Sequence, residues 1–130
     1  MRLLIRAQDI AWTTIGLSDG GSVIQEERVI TRPETILNTI ESALAKWKID
    51  WHKLDTVALV SGPGSFTALR SSLTIGNTIA FARKLPIAST KAKPDELDVV
   101  VMKRLAKAKA TAAWVTPAYG AKALITKPKK

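Results

Sequence analysis

The first third of the chain has the pattern of apolar and polar positions that is typical of extended strands. Arg2–Ala7 is a short apolar segment, and Trp12–Leu17 is rich in β-branched residues up to the turn cluster Ser18-Asp19-Gly20-Gly21. Ser22–Thr31 continues as a strand with apolar and charged residues on both faces, as suits the edge of a sheet. The pattern predicts a three-stranded antiparallel meander.

The spacing of apolar residues changes to 3.6 after Pro33, a residue suited to the first position of a helix. It predicts a helix over 33–47, a buried strand over 56–60 and a second helix over about 67–84. A short strand over 86–90 follows, then a third helix that begins at Pro94-Asp95-Glu96 and carries basic residues towards its end. Ala112–Val115 is predicted as a last short strand.

The order of these elements predicts the fold class. Three strands are followed by alternating helices and strands, which predicts an α/β domain with a mixed sheet and helices on its faces. This is the order of a ribonuclease H-like domain, the topology shared by the actin-like ATPase (ASKHA) lobes. We expect one such domain over 1–116 and a basic C-terminal tail over 117–130.

Composition excludes several classes of protein. The 130 residues are 46% apolar, which fits one globular domain, and the absence of cysteine excludes disulfides, thiolate metal sites and a cysteine nucleophile. A single histidine disfavours a zinc site. No apolar run reaches the roughly 18 residues of a membrane span, and Arg6 and Asp9 interrupt any signal-peptide core. The sequence therefore predicts a cytoplasmic protein without a membrane contact.

The net charge of +9 is unevenly distributed. Residues 1–90 hold ten basic and eight acidic side chains, whereas residues 91–130 hold ten basic and three acidic ones. The basic end is either a contact for RNA or a solvated tail. One hypothesis for the chain is therefore a basic RNA-binding module.

The loop Ser61-Gly62-Pro63-Gly64-Ser65-Phe66-Thr67 joins a predicted buried strand to the start of a helix. Backbone N–H groups and the positive end of the helix dipole would point into it, so an anion is a candidate ligand. A tight turn with Ser65 as the N-cap explains the same residues, and the loop lacks the lysine of a phosphate-binding loop. The candidate anion-binding residues are Gly62, Gly64, Ser65, Thr67 and Arg70. A small nucleotide-binding or phosphotransfer domain is the corresponding hypothesis.

The same loop carries a family resemblance. Ser61-Gly62-Pro63-Gly64-Ser65-Phe66-Thr67-Ala68-Leu69-Arg70, with the strand before it and Leu85-Pro86-Ile87 after the helix, resembles the TsaB (YeaZ) family over roughly residues 54–90. The resemblance implies a non-catalytic subunit of the machinery that makes threonylcarbamoyladenosine (t6A) beside the anticodon of tRNA. Such proteins dimerise with the catalytic paralogue TsaD through their first two helices, and the complex recruits the ATPase TsaE.

The resemblance also implies which surface of this chain binds a partner. It places the interface on the helices 33–47 and 67–84, with tRNA reached through the complex. It implies no catalytic residue, metal or cofactor in this chain, and the same surface allows a homodimer when the partner is absent. The interface residues that we expect are Ile36, Ile40, Leu69, Leu73, Gly76 and Ala80.

Two departures from the family pattern have consequences. Family members usually carry Ile-Asp-Thr-Ser in the first strand, where this chain has Ile5-Arg6-Ala7-Gln8, and an arginine cannot bind a metal. Only 40 residues follow Thr90, which predicts a single-lobe version without the second ribonuclease H-like lobe.

Overall fold

A computed structural model describes residues 1–111 and 114–118 of the protein. Six strands form one mixed sheet in the order β3-β2-β1-β4-β5-β6. The bounds of the strands are β1 Arg2–Asp9, β2 Trp12–Asp19, β3 Ser22–Ile30, β4 Thr56–Gly62, β5 Ile87–Lys91 and β6 Ala110–Thr111.

The predicted opening meander is confirmed. β1, β2 and β3 pair antiparallel, with Ile5 opposite Ile15, and β3 lies at the edge of the sheet. β4 pairs parallel to β1 and β5 pairs parallel to β4, so Ile5 also lies opposite Leu59. All seven residues of β4 are buried, as its apolar composition predicts for a strand in the interior of a sheet.

Three helices complete the fold: α1 Ile36–Lys46, α2 Phe66–Arg83 and α3 Asp98–Lys107. Short 3₁₀ turns at Pro33–Thr35 and Trp51–Lys53 flank α1. The Ser65 side chain caps α2 by accepting from the Ala68 N–H, and Lys84 ends it in the left-handed conformation.

Helices cover both faces of the sheet. On one face, α1 and α2 pack against alternate β1 residues such as Leu3 and Ile5. On the other face, Val101, Met102 and Leu105 of α3 pack around Leu4. Because successive side chains of a strand point to opposite faces, β1 contributes to both apolar clusters.

Two predicted boundaries near the C-terminus differ from the structure. α3 begins at Asp98 rather than at Pro94, because residues 93–96 form a separate turn. In that turn the Glu96 N–H donates to the Lys93 carbonyl, and the Glu96 carboxylate accepts from the Lys93 N–H and from Arg104. The last strand is Ala110–Thr111 rather than 112–115, of which 112–113 lie outside the described residues and Trp114 and Val115 are not in a strand. The predicted basic tail lies outside the described residues from 119 onward.

Candidate functional site

The loop between β4 and α2 folds against the end of β1. Gly62 has a φ of +139°, and a Cβ there would lie 1.9 Å from the carbonyl oxygen of Ala118. A Cβ on Gly64 would lie 2.7 Å from the carbonyl oxygen of Gln8. Both glycines are therefore required by close backbone approaches.

Several polar groups of this loop already have internal partners. The Ser65 N–H donates to the Gln8 carbonyl at 2.8 Å, and the Ser65 hydroxyl accepts from the Ala68 N–H at 3.3 Å. The Gln8 amide donates to the Pro63 carbonyl at 2.6 Å. Anion binding by Gly62, Gly64, Ser65 and Thr67 stays a prediction, and the structure gives two of these residues a packing role and Ser65 a capping role.

The solvent-facing side of α2 carries a row of polar residues. Thr67, Arg70, Thr74 and Thr78 recur at three- and four-residue spacing and are exposed. A groove of about 360 Å³ separates this row from the start of α1. Its lining residues are Pro33, Glu34, Thr67, Arg70, Ser71, Thr74 and Ile75.

Arg70 stands on this row between two grooves. Its guanidinium lies over the Phe66 ring, 5.4 Å from the ring centroid. The second groove, of about 400 Å³, lies on the other side of Arg70 and is closed by residues 114–117. Thr74 lines both grooves with Arg70. Arg70 is therefore the charged side chain that the two grooves share.

The described residues beyond β6 form a strap, Trp114–Ala118, that crosses α2. The Asn77 side chain binds both backbone groups of Val115, donating to its carbonyl at 2.9 Å and accepting from its N–H at 3.0 Å. Trp114 stacks on Phe81 with ring centroids 6.4 Å apart. The Ala118 N–H donates to the Ser61 carbonyl at 2.7 Å. The strap thus runs from the end of α2 to the loop at its start.

On the opposite face of the sheet, a buried ion pair joins β1 to α3. The Arg6 side chain is fully buried and donates to Asp98 Oδ1 at 2.8 Å and to Gln8 Oε1 at 2.7 Å. Asp98 Oδ2 accepts from Thr14 at 2.9 Å and from Arg28 at 2.8 Å. Three side chains, one each from β1, β2 and β3, therefore meet at one carboxylate of α3.

The surroundings shift the pKa values of both charges in this pair. Burial lowers the pKa of the Arg6 guanidinium, and the charge and hydrogen bond of Asp98 oppose that effect without cancelling it. Burial alone would raise the pKa of Asp98, but hydrogen bonds from Arg28 and Thr14 and the charges of Arg28 and Arg6 outweigh burial and lower it. Asp98 is thus held as a carboxylate.

Comparison with known proteins identifies what this arrangement resembles. Residues 30–91 match the family model of TsaD, described as tRNA N6-adenosine threonylcarbamoyltransferase. The fold matches YeaZ from Pseudomonas aeruginosa with a TM-score of 0.61 and 18% identity, covering 69% of this chain and 44% of YeaZ. The predicted resemblance is confirmed. The chain has a TsaB-like fold.

A second solved structure from Pseudomonas aeruginosa, of a protein with similarity to the peptidase YeaZ, matches at a TM-score of 0.63 and 16% identity. It covers 82% of this chain and 48% of its own. The TsaB-like chain therefore spans less than half the length of these solved structures. The predicted ribonuclease H-like fold is confirmed, and no curated protein sequence matches the chain.

The interface residues predicted for the TsaB-like chain need a correction. All six are buried in the chain's own core, because α1 and α2 use these faces to cover the sheet. A Cβ on Gly76 would lie 2.4 Å from Leu59 Cδ2, so this glycine lets α2 approach β4 rather than another chain. The residues concerned are Ile36, Ile40, Leu69, Leu73, Gly76 and Ala80.

The residues that the TsaB-like chain does expose on these helices are a different set. On α1, Leu37 is 42% exposed, and on α2, Phe66 is 54% exposed. Phe66 lies next to Arg70 of the polar row. Sequence reasoning missed this face, apart from Thr67 and Arg70, since it assigned the apolar stripe of each helix to a partner. The sequence feature that could have identified this exposed face is the row of hydroxyl-bearing residues on the side of α2 opposite the apolar stripe.

At the position of β1 where the family resemblance would place an aspartate, the TsaB-like chain carries Arg6. This arginine forms an internal ion pair with Asp98. Across residues 1–111 and 114–118, no group of three or more histidine, aspartate or glutamate side chains could hold a metal ion. No helix within the same residues is long and apolar enough to cross a membrane.

Proposed function

We propose that this chain is a non-catalytic subunit of the t6A machinery that binds a TsaD-type catalytic partner through the exposed faces of α1 and α2. The observation that carries the proposal is the extent of the family match. Residues 30–91 contain the whole unit α1-β4-α2-β5, so the sequence similarity to TsaD includes the two helices in question.

The character of the exposed helix face supports a protein partner. Around a groove it combines the apolar side chain of Ile75 with the hydroxyls of Thr67, Ser71 and Thr74. Leu37 and Phe66 are further exposed apolar side chains of α1 and α2. Interfaces of this kind have an apolar centre with few charges, and most of their binding energy comes from a few residues. The tRNA and a TsaE-type ATPase would then be reached through the complex.

The non-catalytic assignment is supported by β1. Arg6 takes the place of the family's aspartate, and its guanidinium is bound to Asp98, Gln8 and two backbone carbonyls. A buried arginine held in this way supplies neither a metal ligand nor a general base. We therefore assign the chemistry to the partner.

The test is complex formation with the TsaD-type protein encoded by the same genome, measured by light scattering after gel filtration. We expect a heterodimer, and a homodimer when the chain is alone. Thr74→Tyr, in the α2 groove, should abolish the complex, whereas Val100→Tyr, at an exposed position of α3 on the other face, should leave it intact. Equal binding by both variants would contradict the proposed surface.

A cellular measurement tests the role itself. Deleting the gene should lower the t6A content of tRNA, measured by mass spectrometry of hydrolysed nucleosides. The wild-type chain and Val100→Tyr should restore it, and Thr74→Tyr should not. Unchanged t6A in the deletion strain would contradict a role in this modification.

A further inference from the structure

Within residues 1–111 and 114–118, Arg70 differs from most other arginines in having no hydrogen-bonding partner. Five arginines donate to carboxylates or carbonyls: Arg2, Arg6, Arg28, Arg32 and Arg104. Among the same residues, the guanidinium of Arg70 has no ion pair and lies over the ring of Phe66, and that of Arg83 lies over the ring of Trp51. Both are exposed on α2, at opposite ends of the helix.

The surroundings of Arg70 indicate the kind of ligand that it would take. In the part of the chain that the structure describes, neither of the two grooves that meet at Arg70 has a second basic residue in its lining. The one acidic residue there, Glu34, already pairs with Arg32 at 2.9 Å. A single unpaired cation among hydroxyls and apolar groups fits one carboxylate, whereas the backbone of a nucleic acid is held by several cations together.

The ring of Phe66 gives the guanidinium a defined position before any ligand arrives. Stacking on an aromatic face restricts the side chain while leaving its N–H groups free to donate. Less conformational freedom is then lost when a ligand binds, which favours affinity. Arg83 on Trp51 has the same kind of contact but lies outside both grooves.

Building on the proposed function, we infer that Arg70 is the electrostatic anchor of the partner interface and donates two hydrogen bonds to one aspartate or glutamate of the TsaD-type protein. The partner's surface would cover the grooves on either side of Arg70 and remove the ion pair from water. A charge pair that is desolvated in this way contributes mainly to the lifetime of a complex.

The test is a titration of the TsaD-type protein with wild-type chain and variants, followed by biolayer interferometry for the rates. Arg70→Ala should weaken binding roughly 10- to 100-fold, mostly through faster dissociation. Arg70→Lys should recover only part of the loss, because lysine lacks the planar fork. The matched control Arg83→Ala should bind like wild type. Binding by Arg70→Ala within about threefold of wild type would overturn the inference.

A charge swap identifies the partner group. Arg70→Glu should abolish binding, and one Asp→Arg or Glu→Arg substitution on the partner should restore it. Failure of every carboxylate substitution to rescue the variant would overturn the anchor while leaving the complex itself established. No binding by the wild-type chain would instead contradict the proposed function, and the anchor with it.

Binding of tRNA by the free chain provides a further outcome. If Arg70→Ala lost affinity for tRNA in a salt-dependent way and kept its affinity for the protein partner, Arg70 would be a phosphate contact. That result would overturn the assignment to a carboxylate.

Discussion

Asp98→Ala would remove the carboxylate that faces the fully buried Arg6 guanidinium. In the wild-type chain, Asp98 Oδ1 lies 2.8 Å from Arg6 Nη1, and the Asp98 side chain is only 14% exposed. The variant also removes the acceptor for Thr14 and one partner of Arg28. The perturbation therefore leaves one buried positive charge and one buried hydroxyl without their acceptor.

The geometry sets the size of the effect. Breaking a buried ion pair by removing one partner costs about 3–5 kcal/mol of unfolding free energy. Arg6 keeps neutral acceptors at Gln8 Oε1 and the carbonyls of Lys93 and Pro94, which stabilise the remaining charge. Arg28 is 40% exposed, so water replaces its lost contact. We therefore expect a loss of about 3 kcal/mol, the lower end of that range.

Urea unfolding followed by circular dichroism measures this loss. With a slope of about 2 kcal/mol per molar urea, the midpoint should fall by roughly 1.5 M. Asp95→Ala is the matched control, since Asp95 is exposed in the same segment and should change the stability by less than about 0.5 kcal/mol. Equal midpoints for the two variants would refute the assignment of the ion pair as a stabilising contact between β1 and α3.

The pH dependence gives a second check on the same pair. The pKa of Asp98 is lowered from its ordinary value of 3.8, so its contribution is complete above about pH 4 and is lost as the pH falls through the lowered value. The wild-type chain should therefore lose stability on acidification, and Asp98→Ala should lose less over the same range. Parallel pH profiles would contradict the lowered pKa.

Three other predictions concern separate contacts. Gly76→Val should lower the melting temperature by roughly 5–10 °C in a calorimeter, since its side chain would collide with β4, and an unchanged melting temperature would contradict that packing. Asn77→Ala should cost about 1–2 kcal/mol and speed proteolysis within the strap, because both hydrogen bonds to Val115 are lost, and wild-type cleavage rates would contradict this. Hydrogen bonds from Arg104 and the Lys93 N–H lower the pKa of Glu96 to about 2, so Arg104→Gln should move that pKa towards 4.5 in an NMR titration.

Helices and strands whose apolar residues recur at a regular spacing could be predicted from the sequence. The meander, the buried strand β4 and the helices α1 and α2 follow from alternation, β-branched composition and 3.6-residue spacing, and their observed bounds lie within two or three residues of the predicted ones. The start of α3 could not be predicted in this way, because Pro94-Asp95-Glu96 has every local property of a helix start. Glu96 instead closes a turn with Lys93 and pairs with Arg104, which lies on the helix that follows.

The use of the helix faces was harder to predict than the helices. An apolar stripe with a small residue such as Gly76 suits both a sheet and a second helix, and spacing does not distinguish the two. The structure resolves this through Leu59, which occupies the space beside Gly76. Arg70 could be predicted as a contact residue. Its stacking on Phe66, and its lack of an acceptor among the described residues, depend on neighbours that only the fold defines.

The substitution at Arg6 connects the fold of this chain to its proposed role. An aspartate at this position of β1 would be a second carboxylate on the side of the sheet that α3 covers, and it would leave Asp98 without the Arg6 guanidinium. Both changes would disfavour the packing of α3. With arginine there, the two charges attract, and α3 covers the face of the sheet that Leu4 and Met102 share. Arg6 cannot bind a metal ion. The same residue thus joins α3 to β1 through its ion pair with Asp98. This pair and the exposed row of α2 lie on opposite faces of the sheet. Arginine at position 6 therefore leaves the proposed partner-binding surface unchanged, which is consistent with the non-catalytic role that we propose.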